Sequence, residues 1–359
     1  MAGAAAEPPR QYVPLTCHGH SRPVPHISFS PLEKDESYYL ISACKDNNPM
    51  LRDGQTGDWI GTFIGHKGAV WQARLSPDAS TAATASADTT AKVWDTHTGE
   101  LLCTLQHDHV VRAVAYPPDS SDLLATGGMD KKLRIFDLTH VKPIETGQAP
   151  TLTIQAKAAY EIGQGVHTDS IKFIVWTRDP NIVITASGNT LRWFDLRTRN
   201  VVKQEVLDGE IGSCELCGLA PELMSRSDLG EGLPLLAVAA GKSVYFWGGM
   251  DATKELKSLK LEYQVASVAV DPKGRKIVVG EDGPATWARV YRWDDNVEID
   301  VHKGHHGPVW SIAFSPDGKL YATGSEDGTI KLWKNCEGFY GLWRGGAGGN
   351  GNGTERSTE

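Results

Sequence analysis

The chain has 359 residues and no uninterrupted apolar run of about 18 residues, the least that spans a bilayer as a helix. No membrane segment is therefore expected. Six cysteines are too sparse for a disulfide framework. Basic residues are in the minority: 36 Lys and Arg face 44 Asp and Glu, for a net charge of −8. A chain that grips nucleic acid through its phosphates needs a basic face, so any RNA contact is expected to be indirect. The first residues lack both a basic start and a long apolar core, which argues against a secretory leader. The expected setting is cytoplasmic, with a nuclear pool also compatible. Helical apolar periodicity is missing as well, and short period-two segments between Gly, Asp and Ser turns predict an all-β fold.

What the chain does contain is a repeat. Gly65-His66-Lys67-Gly68-Ala69-Val70-Trp71 returns as Gly304-His305-His306-Gly307-Pro308-Val309-Trp310. Each copy leads, at the same distance, to Ser86-Ala87-Asp88 with Trp94 and to Ser325-Glu326-Asp327 with Trp333. A Gly-His unit that ends in Trp-Asp is the mark of a WD-type propeller blade. Weaker copies end at Arg52, Phe136, Phe194, Trp247 and Trp293. Seven blades follow: a WD40 β-propeller with four antiparallel strands per blade. Length alone would suggest two or three domains, but blades share one closed ring. The ring is placed at residues 12–344, between disordered ends at 1–11 and 345–359, the latter rich in Gly, Asn, Ser and Thr.

Ser76-Pro77-Asp78-Ala79 and Ser315-Pro316-Asp317-Gly318 read as type I turns. Val70, Gln72 and Arg74 are expected on one face of a first strand, with Trp71, Ala73 and Leu75 on the other. An open sheet edge invites pairing, so the ring must close. Leu15-Thr16-Cys17 and Phe339 to Trp343 could both supply the last blade's outer strand; the N-terminal segment is favoured, with Tyr340 and Trp343 packing nearby. Residues 142–165, 218–233 and 282–288 exceed the blade pattern and read as insertions.

Within a blade, His, a hydroxyl, Asp and Trp can form a buried hydrogen-bonded chain, each bond stabilising by about 0.5–1.5 kcal/mol. Two blades carry the whole set: His66, Ser86, Asp88 and Trp94, and His305, Ser325, Asp327 and Trp333. Thr84 and Thr323 lie on the same strand faces as the two serines and are alternative hydroxyls. Blade 1 has Arg52 where Trp should stand, blades 3 and 4 have Phe136 and Phe194, and blades 5 and 6 lack the His. Two rigid blades are expected, and five that rely more on apolar packing. Repetition at structural spacing argues that the Ser, His and Asp fasten the blade and are not a catalytic triad. Cys214-Glu215-Leu216-Cys217 has zinc-like spacing without a second pair, and reads as two strand cysteines on opposite faces. Neither a metal nor a cofactor is expected, nor enzymatic activity. Trp71 and Trp310, five residues after their histidines, fall near the ring's upper opening. With Lys67 and His306 beside them they form a candidate partner-binding rim.

Residues 58–71 are similar to the corresponding stretch of the serine-threonine kinase receptor-associated protein (unrip) family. So are Ile41-Ser42-Ala43-Cys44-Lys45-Asp46, Asp88-Thr89-Thr90-Ala91-Lys92-Val93-Trp94-Asp95 and residues 304–333. Met50-Leu51-Arg52 in place of a Trp, and the late Tyr340-Gly341-Leu342-Trp343, are the more specific marks; the remaining letters would fit any WD-repeat protein. The resemblance runs from about Pro14 to Trp343. It departs at residues 142–165, at 218–233 and in the Gly-rich tail, which puts family contacts through those loops in doubt. It implies a non-enzymatic adaptor, a monomer within a larger complex. The implied partners are the survival-of-motor-neuron complex with its Gemin-type proteins, which assembles spliceosomal ribonucleoproteins in the cytoplasm, and RNA-binding proteins that handle mRNA. It also implies damping of transforming-growth-factor-β receptors where that pathway exists. It transfers no catalytic residue. Two alternatives remain. One is the WD-repeat subunit of translation initiation factor three, which shares the Gly-His-x-Gly-Ala-Val-Trp peptide. The other is a ubiquitin-ligase substrate adaptor, suggested by Phe194-Asp195-Leu196-Arg197.

Overall fold

The computed structural model describes residues 13–141, 154–156, 158–162, 165–283, 285–338 and 340–343. The expected disorder of 1–11 and 345–359 falls outside the described residues. The described chain forms seven antiparallel four-stranded sheets, one of which gains a fifth strand. Apart from one 3-10 turn at Pro221–Leu223, every regular element among the described residues is a strand.

The first strand of each blade is the innermost: His26–Phe29, Val70–Leu75, Val111–Ala115, Ile171–Trp176, Ile211–Cys217, Val265–Asp271 and Val309–Phe314. Each touches the first strand of the next blade, and the seventh touches the first, so the ring is closed around a central channel. Leu15–Cys17 pairs antiparallel with Ile330–Lys334, with Leu15 opposite Leu332 and Cys17 opposite Ile330. The N-terminal strand therefore completes the seventh blade, as the sequence predicts. Tyr340 and Trp343 bridge each other in a tight turn. The Tyr340 hydroxyl donates to Asp317 at 2.5 Å and meets the Tyr38 hydroxyl at 2.7 Å. The Trp343 indole donates to the Val13 carbonyl at 3.2 Å, which ties the two ends of the ring together.

Apolar side chains between adjacent blades form the core in successive packets rather than one central mass. One packet joins Trp193 of blade 4 to Val238 and Trp247 of blade 5, and the next joins Phe246 to Val268 and Trp293. β-Branched and aromatic residues suit this pleated, two-sided burial. One expected insertion differs from expectation. Ala158–Ile162, inside the 142–165 segment, is the outer strand of blade 3, paired with Leu133–Asp137. Just before it, Ile154–Ala156 adds to blade 2 as a parallel fifth strand beside Leu101–Gln106. A parallel edge needs a crossover longer than a hairpin, and that extra length made the segment resemble a plain loop. Residues 218–233 pack onto the lower end of the ring, where Ala220 and Leu229 donate backbone bonds to Pro316 and Pro272.

Candidate functional site

The polar chains of blades 2 and 7 are nearly superimposable in their bonding. The Trp94 indole donates to the Thr84 hydroxyl at 2.8 Å, and that hydroxyl meets His66 Nε2 at 2.7 Å. His66 Nδ1 lies 2.7 Å from Asp88. Trp333, Thr323, His305 and Asp327 repeat this at 2.9, 2.7 and 3.0 Å. The indole occupies one lone pair of the threonine oxygen. The hydroxyl proton then goes to Nε2, and Nδ1–H donates to the carboxylate. Burial lowers both histidine pKa values and favours this neutral form. Burial alone would raise Asp88, but His66, the Thr90 hydroxyl and the Lys67 amide together outweigh it and hold the carboxyl well below its usual range.

Ser86 and Ser325 are not members of these chains. They sit one pleat repeat farther along, at the strand end, and donate to the Gly68 and Gly307 carbonyls at 2.9 Å. Both candidate hydroxyls share a face, but Thr84 and Thr323 lie opposite the strand that carries Trp, so only they can bridge indole and imidazole.

The other blades keep more of the pattern than two complete copies imply. In blade 1, His20 bonds Ser42 at 2.8 Å and Asp46 at 3.2 Å. Arg52, in the Trp position, donates to the Gly57 and His18 carbonyls at 3.1 and 2.5 Å. In blades 3 and 4, His107 and His167 still meet Thr126 and Thr185 at 2.7 and 2.9 Å. Phenyl rings replace the indoles beside them. In blade 3 Asp130 pairs with Arg134 instead of the imidazole, and His107 Nδ1 donates to the Leu105 carbonyl at 3.0 Å.

His20, Cys44 and Asp46 bring three possible ligand atoms within 4.8 Å of one another. They do not suit a metal. The imidazole is used at both nitrogens, the Cys44 thiol donates to the Arg22 carbonyl at 3.0 Å, and burial pushes that thiol up to about 12. Cys214 packs toward the blade 4 side and Cys217 toward blades 6 and 7, so these two do not share a ligand direction.

The channel holds one polar cluster that sequence reading missed. Glu215 lies between the two cysteines of Cys-Glu-Leu-Cys. It accepts from Arg74 at 2.6 Å and meets His26 Nε2 at 3.1 Å, joining blades 1, 2 and 5 across the axis. Burial opposes its ionisation, but Arg74 and His26 hold it down to about 2. No local spacing signals a contact between residues 26, 74 and 215.

The upper opening is built by one device used in turn. In blades 2 to 7 the inner-strand ladder slips by one residue near its start, for example between Val70 and Gln72. The skipped residues are Trp71, Arg112, Lys172, Gly212, Ala266 and Trp310, and together with Pro25 of blade 1 all of them line a cavity of about 380 Å3. A bulge re-aims the side chain it leaves unpaired. It also breaks the strict alternation expected along Val70–Leu75: Trp71 lines the upper cavity while Arg74 lines the lower one. Lys45, from a turn of blade 1, sits between the two indoles, 5.0 Å from the Trp71 ring and 4.3 Å from Trp310. The Arg112 guanidinium covers Trp71 at 3.8 Å. Lys67 and His306 are exposed but do not line this opening. Each follows a buried His, and its backbone N–H donates to Asp88 or Asp327 at 2.9 Å, which fixes it outside the mouth. The cations of the rim are Lys45, Arg112 and Lys172.

Comparison with known proteins agrees with this architecture. The WD domain, G-beta repeat family matches residues 57–95, 99–137 and 296–334. The serine-threonine kinase receptor-associated protein of Gallus gallus is 41% identical over 92% of this chain and 85% of its own length. The Dictyostelium discoideum protein of that name is 39% identical over 89% of this chain and 98% of its own length. The chain belongs to the serine-threonine kinase receptor-associated protein family. Eukaryotic translation initiation factor 3 subunit I of Culex quinquefasciatus is a more distant relative of this chain, 27% identical over 89% of it and 95% of its own length. Both marks singled out for the family have structural roles in this chain: Arg52 ties two backbone carbonyls, and Tyr340 and Trp343 brace the closure.

Proposed function

We propose that the protein is a non-catalytic adaptor in ribonucleoprotein assembly and mRNA handling, docking protein partners at the upper mouth of the ring. The observation that carries this reading is family membership across nearly the whole propeller. The polar clusters support it. The tetrads and the Arg74–Glu215–His26 cluster spend their groups on one another, as fasteners do. The proposed partners are the Gemin-type and Sm proteins of the survival-of-motor-neuron complex, met in the cytoplasm and also in the nucleus. RNA is held by those partners and not by this acidic chain. The turn at Tyr340 and Trp343 favours this reading over an initiation-factor subunit, which would carry a docking helix there. Affinity purification of the tagged protein with mass spectrometry tests it. Gemin-type and Sm proteins are the expected recovery, and a set of initiation-factor subunits instead would overturn it.

A further inference from the structure

The upper mouth offers buried donors without a hydrogen-bond partner and cations without an ion pair among the described residues. Gln72 is 1% exposed, and its Oε1 accepts from the Val114 amide at 2.8 Å. That bond fixes the amide's orientation and leaves Nε2 buried without an acceptor among the described residues. Trp71 Nε1 and Arg112 Nε, lining the same cavity, are buried and likewise without an acceptor among them. Buried donors are normally satisfied, so three in one cavity are a directional signal. Lys45 and Arg112 make no ion pair among the described residues. Three carboxylates are nearby and none forms an ion pair with either cation among the described residues: Glu210 is paired with Lys172 at 2.5 Å and acts on Arg112 from a distance, Glu326 acts on Lys45 from a distance, and Asp282 lines the far side of the mouth. Stacking on Trp71 and Trp310 holds both cations in place without cancelling their charge. On the opposite side the bulged residues are Gly212 and Ala266, which leave room for an entering side chain.

We infer that this mouth receives an acidic side chain of a protein partner, with its carboxylate held between Lys45 and Arg112 and accepting from the Gln72 amide and the Trp71 indole. The inference rests on the mouth being the docking site proposed above. Charged hydrogen bonds in a half-dry cavity are stronger than neutral ones. The protein's own charge of −8 repels acidic peptides in general, so capture of one reports a local site.

The test uses the full chain and three fluorescein-labelled peptides. Each has Gly-Ser arms around a central pair of glutamates, glutamines or phosphoserines, and binding is read by anisotropy at low and moderate salt. The glutamate peptide should bind saturably and weaken with salt. The glutamine peptide, or the Lys45→Met/Arg112→Met variant, should lose about tenfold or more in affinity. Unchanged melting of that variant shows that the fold is retained. No saturable binding of the glutamate peptide, equal binding of glutamate and glutamine, or no effect of the variant would each overturn the inference. Binding of the phosphoserine peptide alone would overturn it in favour of a phosphopeptide. Capture of the cellular partner separates the two levels of failure. If Trp71→Ala/Trp310→Ala loses the partner while Lys45→Met/Arg112→Met keeps it, the acidic side chain is wrong and the docking site stands. If both variants keep the partner, the docking site is wrong.

Discussion

Arg74 and Arg112 occupy neighbouring inner strands of the same channel, yet their charges are treated in opposite ways. Arg74 meets Glu215 directly, and His26 completes the cluster. Arg112 lies on an indole and makes no ion pair among the described residues, near a second cation, Lys45, in the same state. A charge that serves the fold must be compensated inside the fold, because an unpaired buried ion is costly. A charge that serves recognition stays uncompensated until a partner arrives. The lower cluster is a crossbar between blades, and the upper one is a socket.

The sharpest way to break this contrast is to remove the crossbar. Glu215→Ala leaves Arg74 and His26 facing each other without a counter-ion, and should cost about 3 kcal/mol in chemical denaturation. Acid acts at two further sites, with a smaller loss at each than removing the crossbar causes. Burial, with Arg134 and Arg192 nearby, holds His107 and His167 at about 4 against an ordinary 6.5. Their neutral forms are native, so their contribution is full above pH 6.5 and is lost as the pH falls from 6.5 to 4. That loss is on the order of 2–3 kcal/mol for each, and a melting-temperature profile over this range reads it. Trp94→Phe then tests the tetrad. It takes the indole donor from Thr84 and should cost about 1–2 kcal/mol, whereas Ser86→Ala should cost less. Equal losses would mean that serine shares the chain after all. The smallest effect on stability is expected at the socket. Trp71→Ala/Trp310→Ala should keep a cooperative melt while partner capture falls about tenfold or more.

The repeat letters carried most of the architecture. His66, Asp88 and Trp94 recur at fixed spacing because a blade is a local unit whose turns set its register, so seven sheets were legible. Phe136 and Phe194 announced the missing indole donors directly. The choice between Thr84 and Ser86 was not legible, since positions two apart on a strand share a face and differ only in what stands across from them. Residues 142–165 misled for a related reason: the outer strand of blade 3 and the extra strand on blade 2 both depend on partners distant in sequence.

The sequence by itself determined the blade count and the His-Asp-Trp fastenings, because each follows from local periodicity repeated along the chain, and it narrowed the closing strand to two segments, of which the structure uses Leu15–Cys17. Only the tertiary structure decided which side chains face the channel. One-residue slips in six inner ladders turn Trp71, Arg112, Lys172 and Trp310 into a single mouth. Ring closure brings Glu215 to His26 and Arg74. A slip of one residue reverses which way a strand's side chains point, and a closed ring joins residues that no local pattern connects.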